Sequence, residues 1–506
     1  MDSEMRAKKP PYVMLAILFF GAFVSFLNNS LMNVALPSIM TDLNIDYSTV
    51  QWLATGYMLV SGILIPVSAF LLTKFTNRAL FLTAMSLFTA GTVLAAVAPN
   101  FALLLAGRMI QAAGSSVMSP LLMNIMLVSF PREKRGAAMG VFGLAMISAP
   151  ALGPTLSGYI VEFYHWRVLF EMIIPFAVLS LLLGLWKLEN VMETKETHVD
   201  YLSILLSAVG FGSLLYGFSS TSSDGWSDPV VISTIAVGVI ALVLFVFRQL
   251  KLTEPLLDLR AYRYPMFALS SIISIITSAA MFSGMILTPA YVQNVRGISP
   301  LDSGLMMLPG ALVMAVMSPI TGKLFDKFGP RVLAFVGLAI TAGTTYMLSM
   351  LQIDSSYNYI ILLYSLRMLG MSMVMMPIMT NGLNQLPTRL NPHGTAINNT
   401  VQQVAGSLGT AIFVTIMNTR MKSSAAALMA GIDPAKADQA QLAELQRLAL
   451  LEGIQLSFLV ATFISVAALL LSLFMRRVDV SKSAVAKLEQ ETAGNAPVKT
   501  EAAAKS

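Results

Sequence analysis

The chain has 506 residues, 56% of them hydrophobic and only 11% charged, with a mean hydropathy of +0.73. A soluble protein of this length needs far more charge to cover its surface, so the composition excludes a soluble enzyme or adaptor and predicts a polytopic membrane protein in contact with a lipid bilayer. There is no cysteine, hence no disulfide or thiolate metal site, and His165, His198 and His393 fall in or beside predicted loops, which argues against a metal or haem centre. The net charge of +6 is spread over short loops, so nucleic acid is not an expected partner.

The N-terminus MDSEMRAKKPPY, with residues 1–10 read as cytoplasmic, is basic and runs straight into an apolar helix, the pattern of a retained signal anchor. Apolar blocks of about 18–25 residues, enough to cross hydrocarbon roughly 30 Å thick, follow one another. They are predicted at 11–40, 49–72, 79–98, 101–129, 136–160, 167–187, 201–219, 229–249, 265–290, 303–322, 331–351, 357–382, 394–417 and 454–475, an all-α chain of about fourteen spans. An even number puts both termini on one side. Alternating the loops then places roughly two dozen of the 32 Lys and Arg on the terminal side and about six on the other, as positive-inside orientation requires. Between the last two spans, 421–453 forms a long outer connection whose ADQAQLAELQRLALLEG predicts a partly amphipathic helix, a spacer or a lid. The tail 478–506 predicts a disordered cytoplasmic segment.

Polar residues inside the spans mark the candidate site. In FLNNSLMNVALP, Asn29 and Asn33 are four apart and share a helical face, with Asn28 one residue's rotation away. Amides facing lipid go unsatisfied, so this face should point inward, either lining a substrate cavity or joining helices. Arg108 lies well inside a span, with Gln111 and Ser115 at i+3 and i+7 extending a polar stripe. It contacts substrate, takes part in coupling, or is a structural arginine satisfied by carbonyls. Arg367 repeats the pattern before Met371, Met373, Met375 and Met376; such flexible side chains suit a varied ligand, and also ordinary core. Span thirteen offers Asn398, Asn399, Gln402 and Gln403. Span five carries Ala145, Ala149, Gly153 and Ser157 every four residues, with Pro150, Pro154 and Gly158 on the adjacent stripe, a face built for close helix approach. Glu171 is the carboxylate placed furthest inside a span, and so the candidate proton-coupling group; Arg167, four residues earlier, is the alternative ion-pair partner that would make it an anchor.

Two stretches recur. PVSAFLLTKFTNR from Pro66 is matched by PITGKLFDKFGPR from Pro319, and RMIQAAGSSVMSPLLMN from Arg108 is echoed by RMLGMSMVMMPIMTN from Arg367. Two matches in the same order indicate duplicated halves, an arrangement used by transporters with a site between the halves. In the second loop, Gly322 allows close contact, and Asp326 stands where the next helix begins, able to accept backbone amides and pair with Lys327 or Arg331 beyond Gly329.

GKLFDKFGPR closely resembles the loop signature of the major facilitator superfamily. LNNSLMNVALP, QWLATGYMLVSGILIP, APALGPTLSG, HWRVLFEMIIP and NTVQQVAGSLG together resemble its fourteen-span drug exporters, the lincomycin-resistance type above all, over nearly the whole chain. The resemblance implies a major facilitator fold: an N-terminal six-helix bundle (11–190), two linker helices (201–250) and a C-terminal six-helix bundle (265–475). It implies alternating access, with Gly322, Asp326, Gly329 and Arg331 as a latch and Ala149, Pro150, Gly153, Pro154 and Gly158 as a gating element between bundles. It also implies proton-driven export of small-molecule drugs or metabolites across the plasma membrane, by a monomer without cofactor. The chain departs from the pattern at Thr73 and Thr76, where the family usually has Asp and Gly, and at Asn28, where many relatives have Asp. Asparagine carries no proton. A dedicated exporter or facilitator of one metabolite remains the alternative within transport. A membrane-embedded enzyme lacks a cluster of catalytic residues among the spans, and a primary pump lacks a phosphate-binding G-x-x-x-x-G-K-[ST] loop.

Overall fold

The computed structural model describes residues 12–45, 47–192, 194, 200–429 and 439–477; the side chains of Asn33, Ala145, Pro150 and Pro154 are among those left undescribed. The N-terminal anchor segment 1–11 and the tail 478–506 lie outside the described residues. Among the described residues there is no strand. The first half holds α1 (Tyr12–Asp42), α2 (Tyr47–Lys74), α3 (Asn77–Ala96), α4 (Phe101–Ser129), α5 (Arg135–Phe163) and α6 (Val168–Lys187). The extra pair is α7 (Tyr201–Asp224) and α8 (Pro229–Lys251). The second half holds α9 (Pro265–Ala290), α10 (Pro300–Phe328), α11 (Pro330–Leu348), α12 (Tyr357–Ser372), α13 (Met375–Gln385), α14 (Asn391–Met429) and α15 (Gln439–Ser472). Among the described residues, thirteen segments are long and apolar enough to span a bilayer, with α12 and α13 counted as one. With the 29 residues of α5 they make the fourteen expected.

Local chemistry sets the boundaries. Asn100 caps α4 through the Leu103 amide at 3.0 Å, and Ser299 caps α10 ahead of Pro300. Gly329, at φ +80°, ends α10 in a conformation that side chains resist, and Pro330 starts α11. Pro377 has no amide for the Met373 carbonyl and its ring crowds that carbonyl, so the span breaks between α12 and α13.

In the first half α1 packs on α5 and α6, and α3 on α4 and α6; in the second, α9 packs on α13, α14 and α15, and α11 on α12 and α15. The halves meet chiefly where α5 runs along α10, with α2 and α4 touching α14 on the other flank. Helix α7 lies against both α2 and α14, whereas α8 packs mainly on α7 and leaves Ile240, Leu244 and Phe247 exposed, as lipid contact requires. The 421–453 connection continues its neighbours: α14 runs to Met429 and α15 begins at Gln439, with 430–438 outside the described residues. These extensions are tied down by Arg420–Glu452 at 2.8 Å and by Arg447 donating to the Val295 carbonyl, so the ADQAQLAELQRLALLEG helix from Gln439 on is the start of a span and not a separate surface helix.

The ends of the extra pair are clamped. Arg248 donates from Nε and Nη2 to the two carboxylate oxygens of Asp200, each at 3.0 Å, while Asp200 also caps α7 through the Ser203 amide. The Arg248 guanidinium above all, aided by Ser203, pulls the Asp200 carboxyl down to about 2 against the opposing effect of burial. A depressed carboxylate pKa gives stability that is present above the ordinary aspartate range and lost as pH falls towards about 2. Asp200→Asn keeps the cap and removes the charge. It should lower thermal stability at pH 7 by about 1–2 kcal/mol, with the gap to wild type narrowing in melts recorded between pH 4 and 3. An equal gap at all pH values would mean that the ion pair does not clamp the hairpin.

Candidate functional site

Arg108 is completely buried within the first half, held entirely by neutral groups. Its Nη1 donates to Gln111 Oε1 at 3.0 Å and its Nη2 to Asn29 Oδ1 at 3.4 Å, and its guanidinium lies 4.3 Å from the Tyr57 ring centre. Gln111 passes the chain on to Thr92 Oγ1 at 2.8 Å, and the Tyr57 hydroxyl bonds Ser115. Helices α1, α2, α3 and α4 therefore converge on one cation. Among the described residues no carboxylate lies within 4.0 Å of it, and its Nε has no hydrogen-bond partner. Asn29 is exposed on the outer edge of this node, and Asn28 is buried beside it. The structure thus unites Asn29, Arg108, Gln111 and Ser115; the Asn33 side chain lies outside the described residues. Tyr57, which completes the node, was missed, because an aromatic residue in an apolar span looks like ordinary core.

The second half is different. Arg367 is sealed between α9, α11 and α12, donating from Nε to Thr345 Oγ1 at 3.2 Å and from Nη2 to the Ala280 carbonyl, with Gly284 leaving room for the guanidinium. Met371 is buried among Ala280, Met314, Tyr364 and Met368. Both are buried in the core of the half in this conformation: Gly284 has no side chain to hold the arginine off, so it sits between the helices. Met375 borders a gap of about 10 Å³, room for about one water. Asn398 is likewise internal, donating to Met379 Sδ, whereas Asn399 accepts from Ser119 of α4 at 3.3 Å and joins the halves.

Asp326 forms the seam. Its carboxylate accepts the Gly136 amide at 3.0 Å and the Ala137 amide at 2.9 Å, in the first turn of α5 on the opposite half. A negative group at a helix N-terminus satisfies donors that lack helical partners and meets the positive end of the helix dipole. The expected partners Lys327 and Arg331 are not used: Lys327 lies over the Phe328 ring at 5.2 Å, and Arg331 is exposed. A side chain at Gly322 would strike the Gly136 carbonyl, and Ser318 donates to the Gly140 carbonyl at 2.8 Å, so α5 and α10 run backbone against backbone. Arg135 adds a bond to Asn384 Oδ1 at 3.2 Å.

The small face expected to join the bundles is displaced. Ala149 is buried, while Gly153 meets Ser30 and Ser157 donates to the Leu31 carbonyl at 2.6 Å, both against α1 of the same half. Gly158 approaches α10, at Leu301. The face that crosses to α10 is Gly136, Gly140 and Gly143, whose i, i+4, i+7 spacing in RGAAMGVFG was legible and overlooked. At the opposite end, Arg167 Nη1 and Trp166 Nε1 each reach Asp42 Oδ2 at 3.0 Å, and chiefly the Trp166 bond holds that carboxyl below its ordinary value. Arg167 is thus committed to Asp42 rather than to Glu171, which is exposed in the first turn of α6.

A seam between duplicated helical halves, with an arginine buried among neutral groups in each, is the architecture of a membrane transporter. The sequence profile described as Major Facilitator Superfamily matches residues 18–410, and the chain belongs to that family. It is 45% identical to an uncharacterised transporter of the same type, YhcA of Bacillus subtilis, over 98% of each chain. It is 43% identical to the lincomycin resistance protein LmrB of that organism, over 92% of this chain and 96% of the other. The fold matches the proton:xylose symporter XylE with a TM-score of 0.62 and 15% identity, over 95% of this chain and 99% of the symporter.

Substitutions at Arg108 and Asp326, with Thr73 as the reference, test the site. Arg108→Ala should abolish transport while the protein still inserts and elutes as a folded species, and Arg108→Lys should restore part of it, since an ammonium keeps the charge but not the fork. Full transport by well-expressed Arg108→Ala would remove Arg108 from the mechanism. Asp326→Asn, which leaves one amide acceptor in place of two carboxylate oxygens, should slow transport at least tenfold more than Thr73→Asn; equal rates at equal expression would refute the seam as the moving contact.

Proposed function

We propose that this transporter is a secondary exporter of amphiphilic drugs, set in the plasma membrane with its basic end in the cytoplasm and working by alternating access. The observation that carries the reading is the end-to-end similarity to a lincomycin resistance protein. Supporting it, the polar contacts joining the halves at the basic end, two backbone amides on one carboxylate, a serine on one carbonyl and an arginine on one asparagine, are few enough to break and re-form. On this reading the basic end opens to admit substrate, closes when Asp326 returns to α5, and the opposite end then releases it. The neutral groups around Arg108 favour neutral or weakly basic amphiphiles, because a permanent dication leaving water finds no carboxylate there. No cofactor is required; the proton gradient is the proposed drive, and the protein is proposed to act as a monomer. The coupling proton does not bind at Asn28, and Glu171 is the proposed carrier.

Efflux from cells lacking and expressing the protein provides the test. Expression should raise lincomycin resistance several-fold and leave tolerance to dicationic dyes nearly unchanged, and a protonophore should abolish the gain. Preferential efflux of dications would contradict the substrate class. Resistance that survives the protonophore would replace antiport with a facilitator dedicated to one compound.

A further inference from the structure

The two flanks of the seam are not alike, and the difference begins with one residue. Aligning PVSAFLLTKFTNR with PITGKLFDKFGPR puts Thr73 where the second half has Asp326. The partner helices correspond too: Arg135, Gly136, Ala137 and Ala138 at the start of α5 match His393, Gly394, Thr395 and Ala396 in the first turns of α14. Where Asp326 closes on α5, the symmetric closure would be a carboxylate at 73 on the first amides of α14. Thr73 cannot supply it, and its hydroxyl turns back to the Ala69 carbonyl at 2.8 Å.

A cavity of about 760 Å³ lies at that place, between the basic ends of α2 and α4 and the start of α14, with Thr73 and His393 both on its wall. This volume is within the range of small-molecule sites, roughly 300–1,000 Å³. One wall is built by a continuous chain of hydrogen bonds from the extra helices. Asp200, clamped by Arg248, accepts from the Ser203 hydroxyl at 2.6 Å; Gln249 donates to that hydroxyl at 2.6 Å and accepts the Leu257 amide at 3.2 Å; the next amide, of Asp258, reaches His393 Nδ1 at 3.2 Å. Leu256 and Leu257 are buried behind it. The facing wall carries Phe70, Val128 and Asn124. Asn124 is only 2% exposed, and its Oδ1 has no hydrogen-bond partner among the described residues. Its Nδ2 donates to Met192 Sδ at 3.6 Å on the same wall, which leaves the Oδ1 as the acceptor open to a hydrogen-bond donor. Each acidic group on the wall has an opposite charge to answer it: Asp200 is paired with Arg248, Asp258 lies 4.0 Å from Arg260, and exposed Glu254 is matched in sign by exposed Arg389 on the same wall.

We propose that this cavity is a binding site for neutral amphiphiles bearing hydroxyl or amide donors, with Asn124 as its polar anchor, formed because the second latch carboxylate is missing. Its role as the antechamber through which substrate approaches rests on the export reading above; the site itself does not.

The natural absence of cysteine allows a direct test on the full chain in lipid nanodiscs. Val128→Cys, exposed on the cavity wall, and Glu133→Cys, exposed at the same end beside the α5–α10 seam, are labelled with N-ethylmaleimide. Octyl glucoside below its micellar concentration should slow labelling of Val128→Cys but not of Glu133→Cys, and dodecyltrimethylammonium should protect neither. Adding Asn124→Leu should raise the protecting concentration about five- to tenfold, the size of one hydrogen bond. Adding Thr73→Asp should slow Val128→Cys labelling with no amphiphile present, by closing α2 on α14. No selective protection of Val128→Cys overturns the site, equal protection by the cation overturns the ligand class, and unchanged labelling with Thr73→Asp overturns its origin. None of these readouts depends on lincomycin export, so the site and the export reading can fail separately.

Discussion

The arrangement of the two halves depends on one carboxylate meeting two backbone amides. Asp326 ends one half and Gly136 and Ala137 begin a helix of the other, and the bond forms only because Gly136, Gly140 and Gly322 let two backbones approach without side chains between them. The glycines give the contact its closeness, and the charge gives it direction. In a bilayer, where apolar surface drives helices together only weakly, such small-residue packing with a polar lock is an economical way to join two helical halves.

The second structural theme is asymmetry between duplicated halves. Each contributes an arginine on the equivalent helix with one nitrogen left unpartnered among the described residues, yet Arg367 is held by a hydroxyl and a carbonyl inside its own half, while Arg108 is held by side-chain amides, with Asn29 at its edge. Each contributes a loop between its second and third spans, yet only one retains the carboxylate. On the flank that lacks it, the connection after α8 supplies the contact to α14, through the Asp258 amide and His393. The two additional helices are thereby fastened to the basic end by more than lipid packing, through the Asp200–Arg248 clamp and the chain of bonds that follows it.

Much of this was legible in the chain. Span lengths, the alternation of basic loops and the repeat at Pro66 and Pro319 define the architecture because each rests on a strong constraint: hydrocarbon thickness, charge placement and duplication. Arg108 stands out because charge within a span is costly, and Asp326 because it is the carboxylate of a repeated loop at the point where a helix begins. Contacts made by side chains with little chemical signature were less readable. The periodic small residues of α5 form two faces, and nothing in the spacing of Ala149 and Gly153 distinguishes packing on α1 from packing on α10. Sequence adjacency also misled: Lys327 and Arg331 were near Asp326 along the chain, but the α5 amides were nearer in space. Arg167 was four residues from Glu171, and the structure gives it to Asp42.

The claim most open to direct measurement is that the seam between α5 and α10 opens and closes at the basic end. Spin labels on cysteines replacing Glu133 and Arg331, exposed residues on opposite halves, report that distance by pulsed electron resonance. The account predicts a short distance in the resting protein and a second, longer population when Asp326 is replaced by Asn. A single unchanged distance in both proteins would contradict it.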